Sequence, residues 1–434
     1  MVNRLKSSDG DFSDRFAELL AQKREVSEEV DGVVRDIIKD VHARGDAALI
    51  DLSEKFDSVD LAAKGIEIGP DEIAAAIAEV KATAPEALEA LEFARDRIAA
   101  HHERQKPTSG RYKDDAGVEL GERWTPVDSA GLYVPGGTAS YPSSVLMNGI
   151  PAKVAGVSRV VMVVPTPRGE LNPLVLAAGS MVADEIYRVG GAQAVAALAY
   201  GTETIAPVAT IVGPGNAFVA AAKRQVYGIV GIDSIAGPSE VLVIADKDND
   251  PEWIATDLLA QAEHDTAAQS ILMTDDAAFA DAVEAAVERQ LAELPRNEIA
   301  EPSWRDYGAI IVLNSLDEAP PLANRVAAEH LEIATANAED LVAQINNAGA
   351  IFIGSYTPEV IGDYVAGTNH VLPTARSARF SSGLGVLDFM KRSSILKLDA
   401  EALEKLGPAA MALARSEGLE GHRRSVEIRL KNSG

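Results

Sequence analysis

Cysteine is absent from all 434 residues, which excludes disulfides, thiolate metal sites and a cysteine nucleophile. Any metal must then be held by nitrogen and oxygen, and any covalent chemistry must use another side chain. No apolar run approaches the roughly 20 residues of a membrane-spanning helix. The opening segment, Met1 to Phe16, lacks the apolar stretch of a secretory signal, so cytoplasm is the expected compartment. Basic charge is scarce as well: 40 Lys+Arg stand against 66 Asp+Glu, a formal net charge of -26. That balance argues against nucleic acid or an anionic membrane as partner. A complete G-x-G-x-x-G turn is also missing. The nearest match, Gly213-Pro-Gly215-Asn-Ala-Phe218, has phenylalanine in the third glycine's place, so a regular dinucleotide fingerprint is excluded.

What is present is length, apolar content and periodicity. At 47% hydrophobic residues the chain has core enough for more than one domain. Val33, Val34, Ile37, Ile38 and Val41 repeat near 3.6 within Val30 to Phe56, and Ala- and Glu-rich stretches run from Asp71 to Arg104; the first 105 residues read mainly as helix. From residue 130 short β-rich runs alternate with Ala-rich helical patterns. The runs are Arg159–Val164, Glu185–Val189, Ala209–Val212, Glu240–Ile244, Ser270–Met273, Ala309–Leu313 and Ala350–Ile353. That alternation predicts βαβ units and parallel sheets. Two clusters, 131–237 and 238–375, each offer three or four strands and suggest duplication, although no sequence repeat links them. The last part, from 376, shows helical patterning over Ala400 to Ala414 and closes on Ser425–Leu430, which alternates like an edge strand. It holds 11 Lys+Arg and 7 Asp+Glu, a balance of +4, leaving 29 basic against 59 acidic residues, -30, elsewhere. Such a tail is either a solvated extension or a segment that docks on an acidic surface.

Polar residues gather in the distal part. Gln261 and His264 are three apart at the end of a predicted helix and share a face, so they can offer an oxygen and an imidazole nitrogen to one point; such a pair is usually incidental. Glu329 and His330 fall where a helix gives way to extended chain, Leu331 to Ala334, and offer two bases of different strength to one cavity; a helix-end salt bridge is the plainer reading. Asp363-Tyr-Val-Ala-Gly-Thr-Asn-His370 is a polar segment without period, and such loops often carry function. Glu417-Gly-Leu-Glu-Gly-His422 is similar in texture. Gln261, His264, Asp363 and His422 together make four non-thiolate ligands that zinc accepts, if they converge. His42, His101 and His102, in charged helical surroundings, read as solvated. Gly-rich turns at Tyr133-Val-Pro-Gly136, Gly190-Gly191-Ala-Gln193 and Gly213–Asn216 raise the odds of a nucleotide crevice.

Eight motifs then stand in order. They are Gly131-Leu-Tyr-Val-Pro-Gly-Gly137, Gly190-Gly-Ala-Gln193, Gly213-Pro-Gly-Asn216, Ala236-Gly-Pro-Ser-Glu240, Gln261-Ala-Glu-His264, Glu329-His-Leu-Glu332, Gly367-Thr-Asn-His370 and Glu417-Gly-Leu-x-x-His422. Collinear from about residue 30 to the end, they resemble the histidinol dehydrogenase family. The resemblance implies oxidation of L-histidinol to L-histidine through bound L-histidinal, the last step of histidine biosynthesis, with two NAD and one zinc per site. It implies zinc ligands Gln261, His264, Asp363 and His422, the last from the partner subunit of an intertwined homodimer, which favours a docking tail. It implies NAD contacts at Tyr133, Gln193 and Asn216, and substrate contacts at Ser239, Gln261, His264, His330, Asp363, His370, Glu417 and His422. Glu329 and His330 become the catalytic pair, His330 taking the alcohol proton and Glu329 activating water.

The expected fold is therefore α/β: two related, incomplete Rossmann-like domains with parallel sheets, a helical N-terminal segment and an extended C-terminal tail. The expected division is 1–27 as N-terminal segment, 28–130 joined with 238–375, 131–237 as the NAD-binding unit, and 376–434 as dimerisation tail. Two rivals remain at this point. One is a family sibling acting on another small alcohol such as a sulfonated propanediol, which Ser239, His370 and Glu417 disfavour. The other is a metal- or nucleotide-binding protein without catalysis, which must treat the intact Glu329–His330 pair as coincidence.

Overall fold

The computed structural model describes residues 2–22, 28–136, 141–235 and 237–431; Gly137 and Ala236, at the ends of two of the motifs, lie outside the described residues. In chain order the strands are β1 (Asn3–Lys6), β2 (Gly110–Lys113), β3 (Glu119–Pro126), β4 (Ser129–Tyr133) and β5 (Arg159–Val163). They continue with β6 (Glu185–Tyr187), β7 (Thr210–Val212), β8 (Gly231–Ile232), β9 (Glu240–Ala245) and β10 (Gln269–Thr274). The last are β11 (Ala309–Val312), β12 (His330–Ala334), β13 (Ala350–Ile353) and β14 (Met390–Lys397).

Two parallel sheets dominate. The first has the order β6-β5-β4-β7-β8 and the second β1-β11-β10-β9-β12-β13. Apart from the added edge strand β1, both follow one doubly wound scheme in which order reverses beside the first strand of the set, at β4/β7 and at β9/β12. The central strands read as unbroken apolar runs, as in Val241-Leu-Val-Ile-Ala245, because helices cover both faces and leave no polar side. The expected strand runs all lie in these sheets, while β1, which inserts into the edge of the second, falls in a segment expected to be helical.

The helices Glu28–Arg44 and Asp46–Asp57 pack with Gly191–Tyr200 and Ala217–Val226 on one face of the first sheet. Pro70–Thr83 and Pro85–His102 pack with Pro142–Ala155 on the other face, joined by Val371, Leu384, Val386 and Phe389. Residues 28–102 are thus built around the first sheet, not grouped with 238–375 as expected. What does join the second sheet is the N-terminus, through Leu5, Phe16 and Leu19. The reason lies in the apolar stripes: Val34, Ile38 and Val41 meet the Ala-rich helix Gly191–Tyr200, whose small side chains allow close approach.

The C-terminal part is not a free extended tail. β14 lies antiparallel to β3, with Met390 opposite Pro126 and Lys397 opposite Glu119, in a small exposed sheet with β2. The helices Ala400–Ser416 and Glu420–Lys431 then form a hairpin. Ser425–Leu430, expected as an edge strand, is helical. Helix spacing brings Glu427 to Arg423 at 3.1 Å and to Lys431 at 3.3 Å. It also lets Val426 and Leu430 close over Gly407, where an added Cβ would lie 3.0 Å from each.

His102 overturns another expectation. It is fully buried, where a solvated surface residue was expected; Nδ1–H donates to the Ile98 carbonyl at 2.9 Å and Nε2 faces the Asn369 amide at 3.4 Å. Asn369 in turn donates to Met147 O at 2.6 Å and accepts from Val371 N–H at 2.9 Å, which fixes the loop carrying His370. Burial holds the His102 pKa below its ordinary value of 6.5. The unfolded chain therefore takes up a proton below that pH before the folded one does, and the stability His102 contributes is lost as pH falls. Relative to wild type, the melting temperature of His102→Gln should recover between pH 7.5 and pH 5, by at most about 1.4 kcal/mol per pH unit of stability difference. A gap that is constant or widens towards acid would contradict a neutral buried imidazole.

Candidate active site

A cleft of about 600 Å³ opens between the two sheets. From the first sheet come Tyr133, Pro135 and Gly136 after β4 and Pro214, Gly215 and Asn216 after β7. These are the carboxyl ends of adjacent strands at the switch point, where an open α/β sheet leaves a crevice. From the second sheet come Ser239 before β9, His264 and Asp265 before β10, and Glu329 before β12, all at the amino ends of their strands. Asp363 and His370 close the cleft between them.

The first-sheet wall is shaped by glycine and proline. Gly213 has φ +114°, and a Cβ there would lie 2.2 Å from the Tyr133 carbonyl oxygen, so no other residue lets the two turns approach so closely. Asn216 caps the helix Ala217–Val226, its side chain accepting from the Phe218 and Val219 amides. Tyr133 is buried, and its hydroxyl accepts from Gly191 N–H at 3.0 Å; burial pushes its pKa up to about 12. Gln193, one position past Ala192 on the next helix, is buried with its amide folded back beside Gly191.

The second-sheet wall carries charge. Glu329 is buried, and its carboxylate accepts from the Glu240 N–H at 3.0 Å. Burial lifts its pKa to about 7, with the neighbouring His330 opposing. His330 opens β12, as expected from the helix-to-strand change, and presents Nδ1 3.8 Å from Glu329 and 3.6 Å from Glu359. Its Nε2 lies 3.3 Å from Asp363 Oδ1. Burial works against an imidazolium here, but Glu359, Glu329 and Asp363 together outweigh it and raise the pKa to about 10. His370 donates from Nδ1 to the Asp363 carbonyl oxygen at 2.9 Å, which leaves Nε2 to accept from the Ser144 hydroxyl at 3.0 Å. Burial lowers its pKa, in keeping with that neutral tautomer.

Gln261, His264 and Asp363 fall on one side of this wall. Gln261 is fully buried at the end of the helix Pro251–Ala262, with Nε2 3.1 Å from His264 Nδ1 and Oε1 without a hydrogen-bond partner. A buried amide oxygen without a partner is costly, and a cation is one group that would satisfy it. Among the described residues no three His, Cys, Asp or Glu side chains form an ion-holding cluster by themselves. Asp363 sits in the short helix Glu359–Tyr364, not in a loop as expected, and only the following residues are irregular. Glu417 and His422 are exposed on the C-terminal hairpin and do not line the cleft of their own chain.

Three further acids stand behind the pair. Glu359 is buried against His330, its own N–H donates to Glu332 at 2.7 Å, and Asp257 bonds to Glu332 in turn. Burial raises all three, Asp257 to about 6 and Glu359 to about 8. A glutamate inside the apolar run Leu331-Glu-Ile-Ala was the one signal in the sequence that an acid is buried here.

A histidinol dehydrogenase family model matches residues 20–430. The chain is 68% identical over 431 residues to a histidinol dehydrogenase of Rhizobium meliloti (strain 1021), with 99% of each chain covered. It is 66% identical over 431 residues to that of Brucella suis, covering 99% of this chain and 100% of the relative. Among solved structures it is similar to the crystal structure of histidinol dehydrogenase from Elizabethkingia anophelis, with a TM-score of 0.94, 36% identity, and 99% and 98% of the two chains covered.

The charge arrangement is testable without substrate. In an NMR titration of the metal-free protein, His330 should keep its proton to higher pH than His102, His264 and His370. Glu359→Gln should bring its titration down by about one unit or more, since an adjacent opposite charge is worth that much. A His330 titration unmoved by that substitution would rule out the field described above.

Proposed function

This chain belongs to the histidinol dehydrogenase family, NAD-dependent oxidoreductases of histidine biosynthesis, and on that premise we propose how the cleft works. It oxidises L-histidinol to L-histidine through bound L-histidinal in two successive hydride transfers. The observation that carries this reading is the buried pair Glu329–His330, two bases of different strength at the amino end of β12, facing the switch point of the other sheet.

In the first half-reaction His330, in the neutral form it would reach once a cation beside Asp363 offsets the acidic field, takes the hydroxyl proton as the carbinol carbon loses a hydride, and releases that proton to solvent before the second. In the second, Glu329 takes a proton from water as its oxygen attacks the aldehyde carbon. The hydrate then loses a second hydride to the nicotinamide, and its remaining hydroxyl proton goes to His330, leaving the carboxylate. A base with a pKa near 7 suits water activation at neutral pH, and burial holds Glu329 there. Thiol capture of the aldehyde is impossible in a chain with 0 cysteines, so water is the oxygen source.

The turns carrying Tyr133, Gln193 and Asn216 would hold NAD, which when bound would accept each hydride in turn; the positive end of the helix Ala217–Val226 would favour its phosphates. Gln261, His264 and Asp363 fit a zinc ion, being nitrogen and oxygen donors, with the buried partnerless Gln261 oxygen as the mark of an intended ligand. When bound, zinc orients the imidazole and amine of histidinol. Ser239, His330 and His370 meet the substrate from this chain. His422, the fourth ligand, and Glu417 come from the partner subunit of a homodimer. Their exposure supports this, together with Leu413, Leu419 and Ile428 on the same hairpin, Ile351 and Ile353 on the edge strand β13 and Tyr364 at the cleft, apolar side chains left uncovered on one chain.

Two measurements test these assignments. Glu329→Gln should lose about a hundredfold or more in oxidation of histidinal, the usual scale for a general base, and much less in oxidation of histidinol to the aldehyde, with zinc content unchanged. Equal losses in both halves would remove Glu329 from water activation. For the shared site, His422→Ala and His330→Asn homodimers should each be inactive, and mixing them under subunit exchange should restore activity, because one site of the heterodimer is then intact. No restoration would place His422 in its own chain's site.

A further inference from the structure

Beneath the Gly213 turn lies an ion pair that the reaction itself does not use. Lys223, on the helix Ala217–Val226, and Asp233, just after β8, are 2% and 5% exposed and pair directly. Both also grip one residue: Lys223 Nζ donates to the Gly213 carbonyl at 3.0 Å, and Asp233 Oδ2 accepts from Gly213 N–H at 2.8 Å. Opposite charges thus hold the two main-chain groups of a single glycine from the side facing away from the cleft.

Stability alone does not account for such a pair. Taking both charges out of water is costly, and apolar residues of similar volume would serve a core as well or better. A gain in position explains it. Gly213 has a φ that only glycine adopts readily, and a glycine turn by itself is free to move. Pro214, Gly215 and Asn216, which follow, form one wall of the cleft.

We propose that Lys223 and Asp233 are positioning residues for the dinucleotide, clamping the Gly213–Asn216 turn in the shape that receives it. This rests on the reading that NAD binds at that turn. The clamp acts on the cofactor wall and leaves the histidinol wall, at the amino ends of β9 and β12, untouched.

Steady-state kinetics of the zinc-loaded, full-length enzyme separate the two walls. Lys223→Met and Asp233→Asn should each raise KM for NAD by about tenfold or more while KM for histidinol stays within about twofold, the split expected of a group that acts on one ligand's binding. Each single variant leaves a buried charge unpaired and can fail to fold. The double variant Lys223→Met, Asp233→Asn removes both charges, retains an acceptor for Gly213 N–H, and should melt near wild type yet keep the NAD defect. A double variant with wild-type KM for NAD, or parallel rises in both KM values, would overturn the clamp. Asn216→Ala serves as the control on the underlying reading. If it raises KM for NAD and the clamp variants do not, the clamp alone fails; if it leaves KM for NAD unchanged, the location of NAD fails with it.

Discussion

A carboxylate that is to act as a base near neutral pH must be withdrawn from water without being left alone with its charge. The arrangement around His330 meets both conditions. Glu329 and Glu359 are each buried, and their carboxylates stand 3.8 and 3.6 Å from one imidazole nitrogen, with Asp363 3.3 Å from the other. Burial lifts the carboxylates and the imidazole's positive form restrains them, so neither side is free to take its ordinary pKa. The acids behind, Glu332 and Asp257, extend the same low-dielectric pocket into the sheet. Almost every other element near the cleft serves to keep this group packed and one side of it open.

Two sheets of the same strand order do that in opposite ways. The first offers the carboxyl ends of β4 and β7, with glycine turns and a helix N-terminus, the usual place for a ligand rich in phosphate. The second offers the amino ends of β9, β10 and β12, which carry Ser239, His264 and Glu329. Facing one sheet's carboxyl edge with the other's amino edge lets a wall of glycine turns and a wall of charged side chains be built separately. The loop from Asp363 to His370, pinned by His102 and Asn369, joins them.

Much of this is legible in the sequence. The apolar strand runs from Arg159 to Ile353 were found because a strand covered on both faces has no polar alternation to blur it. The family resemblance carried by the eight motifs is borne out by the family model and the relatives. Other elements were misread for identifiable reasons. Ser425–Leu430 alternates like a strand, but alternation over six residues does not tell a strand from a helix when charged residues sit four apart. His102 looked solvated because its neighbours His101 and Glu103 are, and only the direction of its side chain, decided by the packing of the helix on the loop after Gly367, buries it. The helices of 28–102 were joined to the wrong sheet, since an apolar stripe states that a partner exists and not which one.

The sequence by itself determined which groups are on offer: no thiol, polar side chains such as Gln261, His264, Asp363 and His422 with nitrogen or oxygen atoms, Glu329 and His330 adjacent in the chain, and glycine turns where strands meet helices. These are local properties, set by residue type and spacing. Only the tertiary structure decided that Glu359 faces His330, that Lys223 and Asp233 meet under Gly213, and that His422 stands away from its own chain's cleft. Each of those joins residues distant in the chain or on different elements. Their energy depends on burial and on which charges share a low-dielectric space, and neither quantity exists until the sheets have closed on one another.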